Sequence, residues 1–273
     1  MQNAWQCRIS PTIGDLEDTH QNIWGTDDYT DNTRPTVFFG LYGLPDFYVL
    51  WRHKGKKAIL WAGTDIKHFL NGYWLDELGK IRLNPKALAK WIDINCKNYV
   101  ENEIEKEALA SVGITAFVAP SFLGDKNKFE ASFKPGNKLY TSVSGDDFKT
   151  YGWDKIPALA QLYPQIEFHL YGNARPLLFG TDNIIVHGRV SKEQMNREIK
   201  EMQGALRLTE FDGFSEILAK SFLMGQYPVS LIKVPHALPV EDIAQILNKT
   251  EPNMKARDHY FEYLNKYQWN TRS

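Results

Sequence analysis

Apolar positions along the chain fall into short runs separated by polar, turn-rich stretches, and the runs alternate in kind. Thr36–Leu41 (TVFFGL) is compact, β-branched and aromatic, the pattern of a buried strand. Pro45 then opens a helix through Phe47, Val49 and Leu50, and Lys57–Ala62 (KAILWA) reads as the next strand. After a polar-aromatic stretch, Asn84-Pro85 supplies an N-cap and a first-turn proline for a helix through Leu88 and Trp91. Asn98–Asn102 is a strand, Ile104–Val112 a helix stopped at Gly113, and Thr115–Ala119 another strand. Before Thr36 the chain is polar and rich in Asp, Thr and Asn, and is expected to be irregular with room for one short element.

The segment Phe133-Lys-Pro-Gly-Asn137 is turn chemistry between patterned regions and is the expected domain linker. Beyond it the alternation resumes. Strands are expected at Leu139–Val143, around Ile166, Phe168 and Leu170, at Asn183–His187, Ala205–Leu208 and Pro228–Ile232. Helices are expected at Asp154–Leu162, from a Ser191/Gln194 capping box to Met202, at Ser215–Met224 ending on Gly225, at Val240–Leu247, and at Glu251–Tyr267. The last of these carries an aromatic stripe of Tyr260, Phe261, Leu264 and Tyr267.

Repeated strand–helix alternation predicts an α/β fold whose parallel sheets are covered on both faces. With a linker in the middle it predicts two Rossmann-like domains, 1–134 and 135–250, followed by a carboxy-terminal helical segment, 251–273. Ligands of such sheets sit beyond the carboxyl ends of the strands, and a central cleft between two domains is the expected site.

Composition narrows the function classes. A hydrophobic fraction of 43% and a charged fraction of 24% belong to a folded globular chain. The 32 basic and 33 acidic residues nearly cancel, which argues against a nucleic-acid footprint. Cys7 and Cys96 form no framework or CxxC pair, so reduced thiols in the cytoplasm are expected. The amino terminus has no apolar core of a signal peptide, and the most apolar stretch, Thr36 to Trp51, is too broken to be a transmembrane segment.

The stretch Arg207 to Ser230 carries the candidate chemistry. It reads as strand, loop, helix, glycine stop, strand. Its loop holds Glu210, Asp212, Gly213, Phe214 and Ser215 where a helix begins. Unpaired N–H groups and the helix dipole there favour an anion such as a diphosphate, and carboxylates can accept from sugar or ribose hydroxyls. The plain structural alternative is a common Asp-Gly turn followed by a serine N-cap.

On these residues the chain resembles the retaining GT-B glycosyltransferases of the large family 4 type. Asp212-Gly213-Phe214-Ser215 resembles the family's acidic residue and Gly-Phe-Gly, and Gly225 with Pro228-Val229 resembles the end of the motif. Upstream, Ser142–Gly152 is similar to the family's first strand and phosphate loop. Leu170-Tyr171-Gly172-Asn173 is similar to its second strand and glycine turn. Ile185-Val186-His187-Gly188-Arg189-Val190 is similar to the third strand and the loop that packs the nucleotide base. In the first half, Trp61-Ala62-Gly63-Thr64-Asp65 looks like a cleft loop. Two positions depart from the pattern. The family's second glutamate, which usually holds the ribose hydroxyls, falls on Lys220, and Lys149 is the lone cation between Ser142 and Gly152.

The resemblance implies transfer of a hexose from a nucleotide-sugar such as a UDP- or GDP-sugar, with retention and with no metal or other cofactor. The acceptor is a glycan, a small molecule or a modified nucleic acid. Asp65 and Asp212 are the catalytic candidates, Asp65 as an acceptor base whose alternative is a helix N-cap. Donor binding falls to Lys149, Gly172, Gly188, Arg189, Val190, Arg207, Glu210, Gly213, Phe214, Ser215 and Lys220. Lys149, Arg207, Lys220 and then Arg189 are the cations available to a leaving diphosphate; Arg207 has the equal alternative of a structural ion pair. Competing readings are a nucleotide-sugar or glycan binding protein without turnover, motivated by Lys220, and a viral enzyme glycosylating modified DNA. An unrelated Rossmann enzyme is a further alternative, against which stands the lack of GxGxxG after the first strand of either half.

Overall fold

The computed structural model describes residues 5–13, 19–71, 85–143, 148–172, 181–267 and 269. Asn84, residues 144–147 of the Ser142–Gly152 loop, and Asn173 of the sequence-based reading lie outside the described residues. The chain divides into two compact units, one of residues 1–125 with 263–273, the other of residues 126–262.

In the first unit the strands β1 (Gln6–Ile9), β2 (Asp27–Asp28), β3 (Thr36–Phe39), β4 (Lys57–Leu60), β5 (Lys97–Val100) and β6 (Ala116–Val118) form one parallel sheet. Its order is β2-β1-β3-β4-β5-β6. The helices are α1 (Thr19–Asn22), α2 (Leu44–Arg52), α3 (Thr64–Leu70), α4 (Pro85–Asn95) and α5 (Glu103–Ala110). Phe38, Ile59, Trp61 and Val100 pack under α2 to α5. Val37, Phe39, Leu60 and Tyr99 face the other way, onto Trp24, Tyr267 and Trp269. That two-sided burial is why β3 and β4 read as nearly continuous apolar runs.

Strand β1 lies inside the sheet although the first residues read as irregular. Its polar positions are buried in matched pairs, which hides the strand from hydropathy. The Gln6 carboxamide accepts from Thr30 N (2.8 Å) and Asp31 N (3.0 Å), and Arg8 pairs with Asp46 at 2.8 Å. Helix α3, which the sequence suggested only through an N-cap at Asp65, is capped instead by Gly63 at φ 80°, with Asp65 inside its first turn. Cys7 and Cys96 are free and buried, and burial pushes both thiols up to about 12.

The second unit repeats the architecture. Strands β7 (Lys138–Ser142), β8 (Glu167–Tyr171), β9 (Ile184–Gly188), β10 (Gly204–Arg207), β11 (Val229–Ser230) and β12 (Leu238–Pro239) pair in parallel in the order β12-β11-β10-β7-β8-β9. Helices α6 (Ile156–Leu162), α7 (Lys192–Glu198), α8 (Glu216–Leu223) and α9 (Met254–Tyr263) follow. Leu139, Phe168, Leu170 and Leu206 form the core with Trp153, Ile156 and Ile166. The expected helix at Val240–Leu247 is instead a 3-10 run, Val240–Asn248, which buries Ile243 and Ile246 at three-residue spacing. The final helix stops at Tyr263, because Asn265 turns left-handed at φ 59°. Beyond it, the Tyr267 and Trp269 rings stack at 4.1 Å and close over Tyr99.

Candidate functional site

The carboxyl edge of the second sheet gathers most of the sequence-predicted residues. Strand β10 ends on Arg207, which is 8% exposed, and the chain leaves through Leu208, Thr209 and Glu210 to α8. Arg207 Nε donates to Asp212 Oδ2 at 2.5 Å, and its guanidinium lies 4.5 Å from the Tyr151 ring centroid. An ion pair plus a ring face orients this otherwise costly buried cation. Asp212 is thereby held back against β10.

Tyr151 reaches Arg207 because of Gly152. That residue has φ +74°, and a Cβ added there would lie 2.4 Å from the Leu208 carbonyl oxygen. Only glycine lets the loop after β7 press against the end of β10. Lys149, in the same loop, is exposed. Lys155 bridges back to Glu210 at 3.5 Å, with the Glu210 side chain itself mostly in solvent.

The loop then places Phe214 against Tyr260, ring centroids 5.1 Å apart, which anchors the entry to α8 from below. Ser215 caps α8 in extended conformation, with no side-chain capping bond. Its hydroxyl and the first N–H groups of α8 keep the donor character of a helix start. Thr209, just past β10, and Ser230, at the end of β11, each bury a hydroxyl oxygen with no partner among the described residues.

Lys220 sits on α8 and is 7% exposed. Among the described residues no hydrogen bond or ion pair reaches its amine. Burial pushes its pKa down; Glu216 opposes that and Lys192 adds to it. Withdrawal from water and a nearby second lysine both disfavour the charged amine, while its place in the last turn of α8 suits a cation.

On the neighbouring strands, Gly172 has φ 147° and donates to the Gly188 carbonyl at 2.9 Å, joining the ends of β8 and β9. Gly188 turns at φ 71°, and Arg189, exposed, and Val190 lead into the Ser191 cap of α7. Ser191 Oγ accepts from Gln194 N at 3.1 Å. The Gln194 side chain turns instead to Glu198, so only half of the expected capping box forms.

Sequence reading missed a polar chain beneath that loop. Glu167 Oε2 meets His169 Nε2 at 3.3 Å, His169 Nδ1 meets His187 Nε2 at 2.9 Å, and His187 Nδ1 meets Glu198 Oε2 at 3.4 Å. Tyr171 donates to the same Glu198 oxygen at 2.7 Å and stacks on His187 at 4.2 Å. Burial pushes the His169 pKa down. The available signal was the alternation of Glu167, His169 and Tyr171, which puts all three on one strand face.

In the first unit the carboxyl strand ends hold buried acids. Asp65 is fully buried. Its Oδ2 accepts from Leu41 N (2.8 Å), and its Oδ1 from Ala62 N (3.0 Å) and Ile66 N (2.8 Å). It clasps the chain after β3 to the turn after β4. Burial pushes its pKa up to about 7, against the pull of those three N–H groups. Asp46 takes Arg8, the Ser10 hydroxyl at 2.8 Å and Tyr42 N at 3.0 Å. Burial foremost, and then the acids around it, raise the Tyr42 phenol. Among the described residues no group of three or more His, Cys, Asp or Glu side chains is placed to hold a metal ion.

Solved structures of glycosyltransferases share this fold. WaaB, a lipopolysaccharide outer core galactosyltransferase, superposes with a TM-score of 0.60 at 13% identity over 97% of this chain and 96% of its own. HepE of Anabaena, solved with UDP and glucose, gives 0.54 at 12% over 97% and 96%. TarM gives 0.58 at 14% over 85% of this chain, which spans about half (53%) of TarM's length. The S. aureus form of TarM was solved with alpha-GlcNAc-glycerol and UDP. No family model and no curated protein sequence matches the chain. The fold is the α/β fold of GT-B glycosyltransferases, two parallel six-stranded sheets flanked by helices. No helix among the described residues is long and apolar enough to cross a membrane.

Proposed function

We propose that the protein is a glycosyltransferase that binds a nucleotide-sugar, such as a UDP- or GDP-sugar, at the carboxyl edge of the second sheet. The observation that carries this is the turn from Arg207 to Ser215, which opens α8 at a sheet edge, in a fold of which some neighbours, HepE among them, were solved with UDP. Helix N–H groups and the Lys220 ammonium meet the diphosphate there. Gly172, Gly188, Arg189 and Val190 border the nucleoside. Acceptor recognition, by a glycan or small molecule, falls to the first unit.

Transfer breaks the bond between the anomeric carbon and the diphosphate oxygen and forms one to an acceptor hydroxyl oxygen. Negative charge grows on the leaving diphosphate, and Lys220, Lys149 and the α8 N–H groups offset it without a metal. The acceptor proton passes to the departing phosphate oxygen, consistent with retention and with no side-chain nucleophile. Asp65, sealed under three backbone N–H groups, holds the loops after β3 and β4 rather than touching the reacting atoms.

The test is a panel of UDP-, GDP-, CDP- and ADP-sugars, with release of nucleoside diphosphate measured with and without EDTA. One nucleotide class turned over, equally fast with EDTA, is expected. Tight binding of a nucleotide-sugar with no release under any acceptor mixture would replace the enzyme by the binding-protein reading.

A further inference from the structure

A second surface, on the first unit, is built for something other than a sugar nucleotide. Along α2, Leu44, Phe47, Tyr48 and Trp51 repeat at helical spacing, and Leu88 and Trp91 of α4 complete an apolar trough of about 710 Å³. Phe47 and Leu88 are buried floor, whereas Tyr48 and Trp51 stand 54% and 53% exposed on its rim. Rings this large left half in water on one face are costly unless something covers them.

Among the described residues, the exposed charges on and just after the two helices are basic. Arg52 and Lys54 follow Trp51, and Lys86 and Lys90 flank the trough on α4; all are exposed. The acids of the two helices point elsewhere: Asp46 is buried against Arg8, and Asp93 accepts from Thr115 N. Protein interfaces deplete lysine at their centres, while anionic bilayers attract it and take tryptophan and tyrosine at headgroup depth.

We propose that this face docks on an anionic lipid surface, with Tyr48 and Trp51 at headgroup depth, an acyl chain in the trough, and Arg52, Lys54, Lys86 and Lys90 on lipid phosphates. The contact would be peripheral, sustained by apolar burial and charge together.

The experiment is flotation of the full chain with vesicles of phosphatidylcholine alone and of phosphatidylcholine with phosphatidylglycerol in equal parts. The protein floats with the anionic vesicles, stays behind with the neutral ones, and is released by high salt. Lys86→Glu with Lys90→Glu lowers partitioning roughly tenfold or more, and so does Tyr48→Ser with Trp51→Ser. Circular dichroism confirms that the variants fold, and the salt arm needs no variant. No flotation with anionic vesicles overturns the proposal. So does flotation that the variants leave unchanged, or concentration-dependent dimerisation that Trp51→Ser abolishes without any vesicle binding. None of these outcomes touches the nucleotide site.

Discussion

Replacing Asp65 by asparagine separates a buried structural carboxylate from an acid that works ionised. Asparagine is nearly isosteric with the protonated side chain and, like it, presents one acceptor oxygen and one donor group. Burial holds the folded pKa at about 7, above the ordinary 3.8. The folded state therefore keeps a proton that the unfolded chain releases, and stability falls as pH rises from about 4 to about 7. At about 1.4 kcal/mol per pH unit the whole interval is worth about 4 kcal/mol, of which about 3 kcal/mol lies between pH 5 and pH 8. The variant has no such titration. Its stability relative to the parent is expected to improve by about 3 kcal/mol from pH 5 to pH 8, levelling off above 7. His53, His169 and His236, whose pKa values burial lowers, act in the opposite sense but cancel in the difference. Guanidinium unfolding followed by tryptophan fluorescence reads it, since every tryptophan except Trp153 belongs to the first unit. A difference constant within about 1 kcal/mol, or one moving the other way, would refute the reasoning: the three N–H bonds would then have outweighed desolvation and kept the carboxylate charged.

Other outcomes follow from the second unit. Gly152→Ala adds left-handed strain of about 1–2 kcal/mol and a clash with the Leu208 carbonyl, so denaturation should show a loss of about 3 kcal/mol or more. Lys220→Met removes a buried lysine amine that has no partner among the described residues. It should raise the melting temperature of the ligand-free protein while weakening nucleoside diphosphate binding about tenfold by calorimetry. Asp212→Ala leaves the Arg207 guanidinium buried beside Tyr151 alone and should cost about 3 kcal/mol in urea unfolding, with Arg207→Met in the same background recovering most of it.

The sheets were legible where burial on both faces made strands nearly continuous in apolar residues, as in β3 and β4, or where apolar and polar residues alternate, as in β8. They were illegible where polar residues are buried in pairs, as Gln6 and Arg8 are in β1. The turn from Arg207 to Ser215 was visible because strand end, Asp-Gly and N-cap follow one another in sequence. What stayed hidden depends on partners brought from afar. Tyr151 reaches Arg207 only through the Gly152 turn, and His169 meets His187 only across the β8–β9 register, where a bulge sits between Leu170 and Tyr171.

The most direct test of the donor site is amide hydrogen exchange of the whole protein, alone and with saturating UDP, GDP, CDP or ADP. One nucleotide is expected to slow exchange in peptides covering residues 207–216, at the entry to α8, and 188–192, at the entry to α7. Protection confined to the first unit, or none with any of the four at millimolar concentration, would contradict the account.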